Sequence, residues 1–120
     1  MMRLLLLTMK LYFRTLEIKD FIRIRGTVRS FLGDDIGAID DFNKVLEIEP
    51  CDTKAIYNRG TSNVALTEYK LAKIEFDSEI QLDPKYYKAL INRGICYDQL
   101  EQNSKAKKDF TLAVSLNPAN

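Results

Sequence analysis

Three prolines constrain this chain more than any other feature. Pro50, Pro84 and Pro118 are the only prolines in the 120 residues, and each stands thirty-four residues from the next. Each follows a comparable run: Leu46-Glu47-Ile48-Glu49, Ile80-Gln81-Leu82-Asp83 and Val114-Ser115-Leu116-Asn117. Proline has no N–H to donate and disfavours helical geometry in the residue before it, so it closes a helix. Equal spacing of three such stops makes the chain a tandem repeat of one supersecondary unit.

Other columns keep the same step. Gly26, Gly60 and Gly94 are thirty-four apart, each preceded by arginine. A glycine inside a helix costs on the order of 1 kcal/mol against alanine. Its recurrence therefore predicts a close approach by a second helix, where a Cβ would clash. Ala38, Ala72 and Ala106 form a further column, and Phe42, Phe76 and Phe110 another. The alanines allow close packing, and the phenylalanines fill the space between hairpins. In the last unit Leu90, Ile91, Gly94, Tyr97 and Leu100 form one stripe at helical spacing. Ala106, Phe110, Ala113, Val114 and Leu116 form the next, with Asn103-Ser104 between them as a turn or cap signal. Leu32-Gly33-Asp34-Asp35 plays that part in the first unit, glycine suiting a helix end. Each unit reads as helix A, a tight turn, helix B and a closing proline.

These columns resemble the tetratricopeptide repeat: a small residue in helix A, an aromatic one turn later, then alanine, aromatic and alanine in helix B, and a final proline. Residues 87–120 carry the pattern most fully, through Gly94, Tyr97, Ala106, Phe110, Ala113 and Pro118. The resemblance covers residues 19–120 as three repeats, 19–52, 53–86 and 87–120. It implies an all-α fold, an α-solenoid of antiparallel helical hairpins in a right-handed superhelix.

The middle unit departs from the pattern. Asn63 occupies the aromatic column, Thr67 the place of the turn glycine, and Glu79 that of a small buried alanine. A buried polar group without a partner costs roughly 1–3 kcal/mol. Glu79 therefore either shifts helix B until it reaches solvent or a lysine such as Lys73 or Lys108, or it anchors a partner's cation. In the first unit Arg29 takes the aromatic column and Val45 the last alanine column. Arg23, Arg25 and Arg29 make helix A of that unit basic on more than one face, which reads as a solvated surface.

Residues 1–18 lie outside the repeats. Leu4 to Leu7 is far short of the ~20 apolar residues a membrane span needs. A basic start and an apolar run resemble a secretory signal, but Lys10 and Arg14 interrupt it and no small-residue cleavage site follows. Leu4, Leu7, Leu11 and Tyr12 point instead to a helix packed on the first repeat, or one running straight into its helix A. At the other end Asn120 closes the third repeat with no further helix. Arrays need a polar-faced terminal helix to cover the last apolar surface. Tyr97, Phe110 and Val114 are expected to leave such a surface bare, so that a longer array or another subunit covers it.

The resemblance places a concave groove along the A helices. Its lining would be Arg23, Ile24 and Thr27 from the first unit and Lys54, Tyr57, Asn58 and Thr61 from the second. The third would add Lys88, Ile91, Asn92, Ile95 and Asp98. Amide, cationic and apolar groups in that mixture suit main-chain hydrogen bonding to an extended peptide, with one or two side-chain pockets. One subfamily grips the carboxylate of heat-shock chaperone tails through lysine, asparagine, asparagine, lysine and arginine. Asn58 and Lys88 match that clamp and Arg23 keeps the first lysine's charge. Thr27 and Asn92 replace its first asparagine and its arginine, and loss of a guanidinium removes a bidentate carboxylate contact.

Composition narrows the remaining classes. A net charge of +1 with no long charged block carries none of the basic excess of a nucleic-acid binder. With no histidine and no CxxC, Cys51 and Cys96 read as reduced thiols of an intracellular protein, not as a zinc site or a disulfide. No phosphate-binding glycine loop and no nucleophile motif is present, and no cofactor is expected. The sequence thus predicts a non-enzymatic scaffold segment that binds protein subunits or extended peptides, through its groove or an uncapped C-terminal end. Its expected place is the cytoplasm, or a cytoskeletal or ciliary assembly, by analogy with other arrays of this family. Two alternatives remain: a receptor for chaperone tails, and an accessory domain of a longer enzyme.

Overall fold

A computed structural model describes residues 2–119. Six helices follow in order: α1 Met2–Phe31, α2 Asp35–Ile48, α3 Thr53–Ala65, α4 Tyr69–Leu82, α5 Tyr87–Gln99 and α6 Asn103–Leu116. Among the described residues there is no strand. Each helix packs on its neighbours in sequence, and the odd-numbered helices also touch one another along one side. The product is an α-solenoid of three helical hairpins, 59 × 29 × 23 Å.

The prolines act one step earlier than where they stand. The helices α2, α4 and α6 end two residues before Pro50, Pro84 and Pro118, and Glu49, Asp83 and Asn117 take extended backbone at the C-caps. That is the restriction proline places on its predecessor. Inside each hairpin the turn passes through a left-handed residue: Gly33 at φ 90°, Thr67 at φ 61° and Glu101 at φ 62°. Only the first is glycine, so the other two turns hold side chains where a Cβ is strained. Asp34 and Asp52 cap α2 and α3, accepting from the amides of Gly37 and Ala55. Asn103 and Ser104 are not the turn or cap they resembled. They are the first residues of α6, whose N-cap Gln102 makes no side-chain cap bond.

A Cβ placed on Gly26, Gly60 or Gly94 would lie 2.8, 2.9 or 2.5 Å from the ring of Phe42, Phe76 or Phe110. In every hairpin, then, the phenylalanine of the second helix lies against the glycine of the first. Phe76 also reaches onward, joining Ala72, Ala89 and Cys96 in a core between α4 and α5. Ala38, Ala72 and Ala106 are buried.

The arginine before each glycine is a structural tie. Arg25 grips Asp41 through two bonds of 2.8 and 3.0 Å, and Arg93 grips Asp109 through two of 2.8 Å. Arg59 meets Glu75 at 2.7 Å. Arg59 and Arg93 also reach back to the previous hairpin, to Asn43 at 2.8 Å and Asp77 at 3.2 Å. Asp41, Glu75 and Asp109 are themselves thirty-four apart. The first repeat's basic surface is therefore ion-paired on its inner side while Arg25 and Arg29 stay partly in solvent. Arg25 and Arg29 both pair with the fully buried Asp41, whose carboxyl the Arg25 bond holds below its ordinary pKa.

Residues 2–18 continue directly into the first hairpin as the front half of α1. They do not fold back on it: Leu4, Leu7, Leu11 and Tyr12, expected to pack there, are all more than half exposed. Thirty residues at 1.5 Å each make a rod of about 45 Å. Its first turns stand clear of the hairpins, with apolar side chains on every side.

Candidate functional site

The odd-numbered helices form the lining of one side of the solenoid. Arg23, Thr27, Lys54, Tyr57, Asn58, Lys88 and Asn92 lie along it, on α1, α3 and α5. Thr27, Lys54 and Lys88 are exposed, while Tyr57, Asn58 and Asn92 are half-buried. Ile24 and Ile91 add exposed apolar surface.

Several of these groups are already engaged within the chain. The Asn58 amide donates to Thr27 Oγ1 at 3.3 Å, and the Asn92 amide to Tyr57 Oη at 3.0 Å. These two bonds link α1 to α3 and α3 to α5. Arg23 donates to Asp20 at 2.9 Å and stands 3.8 Å from Asp52, whose other neighbour is Lys19 at 3.3 Å. The first cation of the clamp pattern therefore faces two carboxylates of its own chain, whereas Lys54 and Lys88 make no ion pair with a described residue.

Between α3 and the C-terminal end of α4 lies a pocket of about 560 Å³. Thr53, Lys54, Tyr57, Asn58, Leu82, Asp83 and Tyr86 surround it together with Glu79. Tyr57 and Tyr86 set their rings 5.4 Å apart at 50°, and Tyr57 also meets Phe76 edge-on at 6.0 Å. Glu79 is only 3% exposed, and its Oε1 is buried with no hydrogen-bond partner. Neither predicted escape is taken. Lys73 pairs with Asp77 at 2.8 Å, and Lys108 is exposed on α6, with no bond to Glu79. Burial, reinforced by the charges of Glu75, Asp83 and Asp52, lifts the Glu79 carboxyl to a pKa of about 7.

The C-terminal face differs from expectation in one residue. Tyr97 is 9% exposed and belongs to the interior. Lys73, Arg93 and Lys105 place their charges 5.5, 5.6 and 5.7 Å from its ring centre. Phe110 is half-buried against Gly94, and Val114 and Leu112 are left exposed at 60% and 46%. Cys96 is buried, which pushes its thiol up to about 11, while Cys51 is exposed. The described residues hold no group of three or more acidic or thiol side chains arranged to take a metal ion. No described helix is long and apolar enough to cross a membrane.

Residues 87–120 match the sequence model of the tetratricopeptide repeat. No curated protein matches the chain in sequence. Among solved structures it is similar to the first such domain of Spaghetti (RPAP3), which was bound to the HSP90 peptide SRMEEVD. That match has 24% identity and a TM-score of 0.79 over 85% of this chain and 81% of the other. The Arabidopsis OM64 domain matches at 20% identity and TM-score 0.82, over 88% of each chain. MamA from Desulfovibrio magneticus RS-1 matches at 28% identity and TM-score 0.80, over 85% of this chain and 58% of the other. With the thirty-four-residue columns and three stacked hairpins, these likenesses make the chain a tandem array of tetratricopeptide-type helical repeats.

Proposed function

We propose that this chain is a protein-interaction segment of a larger assembly, with the side lined by α1, α3 and α5 as its binding groove. The observation that carries the reading is the pocket beside α3, which Lys54, Tyr57 and Asn58 line together with Glu79, whose buried Oε1 no described residue satisfies. A fold built for structure alone gains nothing from that arrangement. The exposed apolar turns at the start of α1 and the Leu112–Val114 face of α6 offer further surfaces for other subunits. We read the chain as a binding module and not a catalyst, working in the cytoplasm by analogy with other arrays of this kind.

A second reading, capture of a chaperone tail, draws on the peptide-bound Spaghetti structure. The intramolecular pairing of Arg23 with Asp20 and Asp52 weighs against it, as does Asn92 where a guanidinium would stand. Titration with SRMEEVD separates the two. The clamp reading requires binding that Arg23→Ala plus Lys88→Ala abolishes; the reading preferred here predicts no specific binding.

Site-directed photo-crosslinking in the cells that express the chain tests the main proposal. A photoreactive residue at Ile91, in the groove, should capture a discrete partner. Capture from Leu112 alone, with none from Ile91, would move the binding surface to the outer face.

A further inference from the structure

We propose that the pocket beside α3 receives a basic side chain, lysine or arginine, from an extended segment of the partner protein. This rests on the groove reading above and adds the chemistry of its central subsite. The pocket has the features a long cationic side chain needs. At its base is Glu79, a residue only 3% exposed, whose Oε1 is buried and lacks any hydrogen-bond partner. Its walls are the Tyr57 and Tyr86 rings and Leu82, surfaces on which an aliphatic stem packs and a cation meets aromatic faces. Asp83 lies at the rim, so two carboxylates face a single ammonium, that of Lys54. Exposed Lys54 makes no ion pair with a described residue and is not bonded to Glu79.

Charge complementarity selects the occupant. An acidic side chain would enter against Glu79 and Asp83, and Glu79 already feels the negative charges of Glu75, Asp83 and Asp52. A neutral apolar side chain would seal the orphan carboxylate from its last access to water. A cation instead supplies the missing bond donor and neutralises the buried charge, turning a destabilising group into a pair. The middle hairpin is thereby unlike its neighbours, which carry Val45 and Ala113 at the same column and have nothing there to satisfy.

The test is an amide NMR titration of the full chain at pH 8, where Glu79 is ionised. The probes are capped seven-residue alanine–serine peptides with lysine, arginine, glutamine or glutamate at the centre. The lysine and arginine peptides should shift Tyr57, Glu79 and Tyr86 and bind at least tenfold more tightly than the glutamine peptide. In Glu79→Gln, checked for unchanged helicity, that preference should vanish. In Lys54→Ala, which removes the competing charge, lysine-peptide affinity should rise about twofold. Equal binding of all four peptides would overturn the basic subsite while leaving the groove intact. Absence of any shift along α3 and α5 would overturn the groove reading itself. Butylammonium binding as tightly as the lysine peptide would overturn the assignment to a protein segment.

Discussion

In the third hairpin the position five residues before the closing proline is Ala113, 2% exposed; in the second it is Glu79, 3% exposed. The backbone buries this column whatever it carries, since Val45 of the first hairpin is fully buried as well. Turn geometry behaves the same way. Gly33, Thr67 and Glu101 all take a left-handed φ, although only glycine takes it without strain. Repeat architecture thus imposes burial and backbone conformation on each column. A residue that fits its column badly is held in place by the stack instead of moving away from it. The second hairpin carries three such residues, Asn63, Thr67 and Glu79, and Glu79 opens onto the groove.

The ion-pair column offers the sharpest break between the hairpins. Arg93 holds Asp109, 5% exposed, through two short bonds, while Arg59 holds Glu75 through one. In a urea titration Asp109→Ala should lower stability by about 3 kcal/mol, because Arg93 loses both short bonds to a buried partner and keeps only the longer one to Asp77. Glu75→Ala should cost about half as much in the same urea titration.

Replacing Glu79 by alanine, the residue its column carries in the third hairpin, should stabilise the chain by about 2 kcal/mol at pH 8. The sign follows from the raised pKa. The folded state holds the proton up to about pH 7, whereas an unfolded glutamate releases it near 4.5. Stability from this group is therefore complete below about pH 4.5 and is lost as pH rises through 7. The advantage of Glu79→Ala should accordingly shrink over that interval and be small at pH 4. Thermal melts of the two proteins across pH read the difference directly, with other titrating groups cancelling.

The smallest effect concerns the turns. Thr67→Gly should raise stability by about 1 kcal/mol, since a β-branched residue is the worst occupant of a left-handed position. Glu101→Gly should gain less. Equal gains would mean that branching at the Cβ adds no strain in this turn.

How much of this was legible in the sequence follows from how locally each residue acts. Proline and glycine restrict the backbone wherever they stand, so the unit length, the helix ends and a close helix approach at Gly26, Gly60 and Gly94 follow from spacing; that the phenylalanines, expected between hairpins, pack within each hairpin against those glycines does not. Glu79 could be marked as anomalous from its column, but not its lack of a partner, because whether Lys73 reaches it or Asp77 is a matter of side-chain direction. The ties from Arg25, Arg59 and Arg93 to Asp41, Glu75 and Asp109 repeat with the thirty-four-residue period, but spacing alone does not pair them. Charged residues on helices are usually solvated, and the pairing crosses between two helices. Residues 1–18 carry an apolar stripe at Leu4, Leu7, Leu11 and Tyr12. Such a pattern predicts a need for cover without saying whether the chain itself supplies it. The burial of Tyr97 is not legible in the sequence because the cations around its ring, from Lys73, Arg93 and Lys105, come from three different helices.

The central claim, that Glu79 is a buried carboxyl group left unsatisfied by the described residues and facing the groove, is tested most directly by its side-chain carboxyl titration. Carbon-detected NMR of the free protein should place the midpoint near pH 7. A midpoint near 4.5 would show the carboxylate solvated or paired within the chain, and would contradict the account.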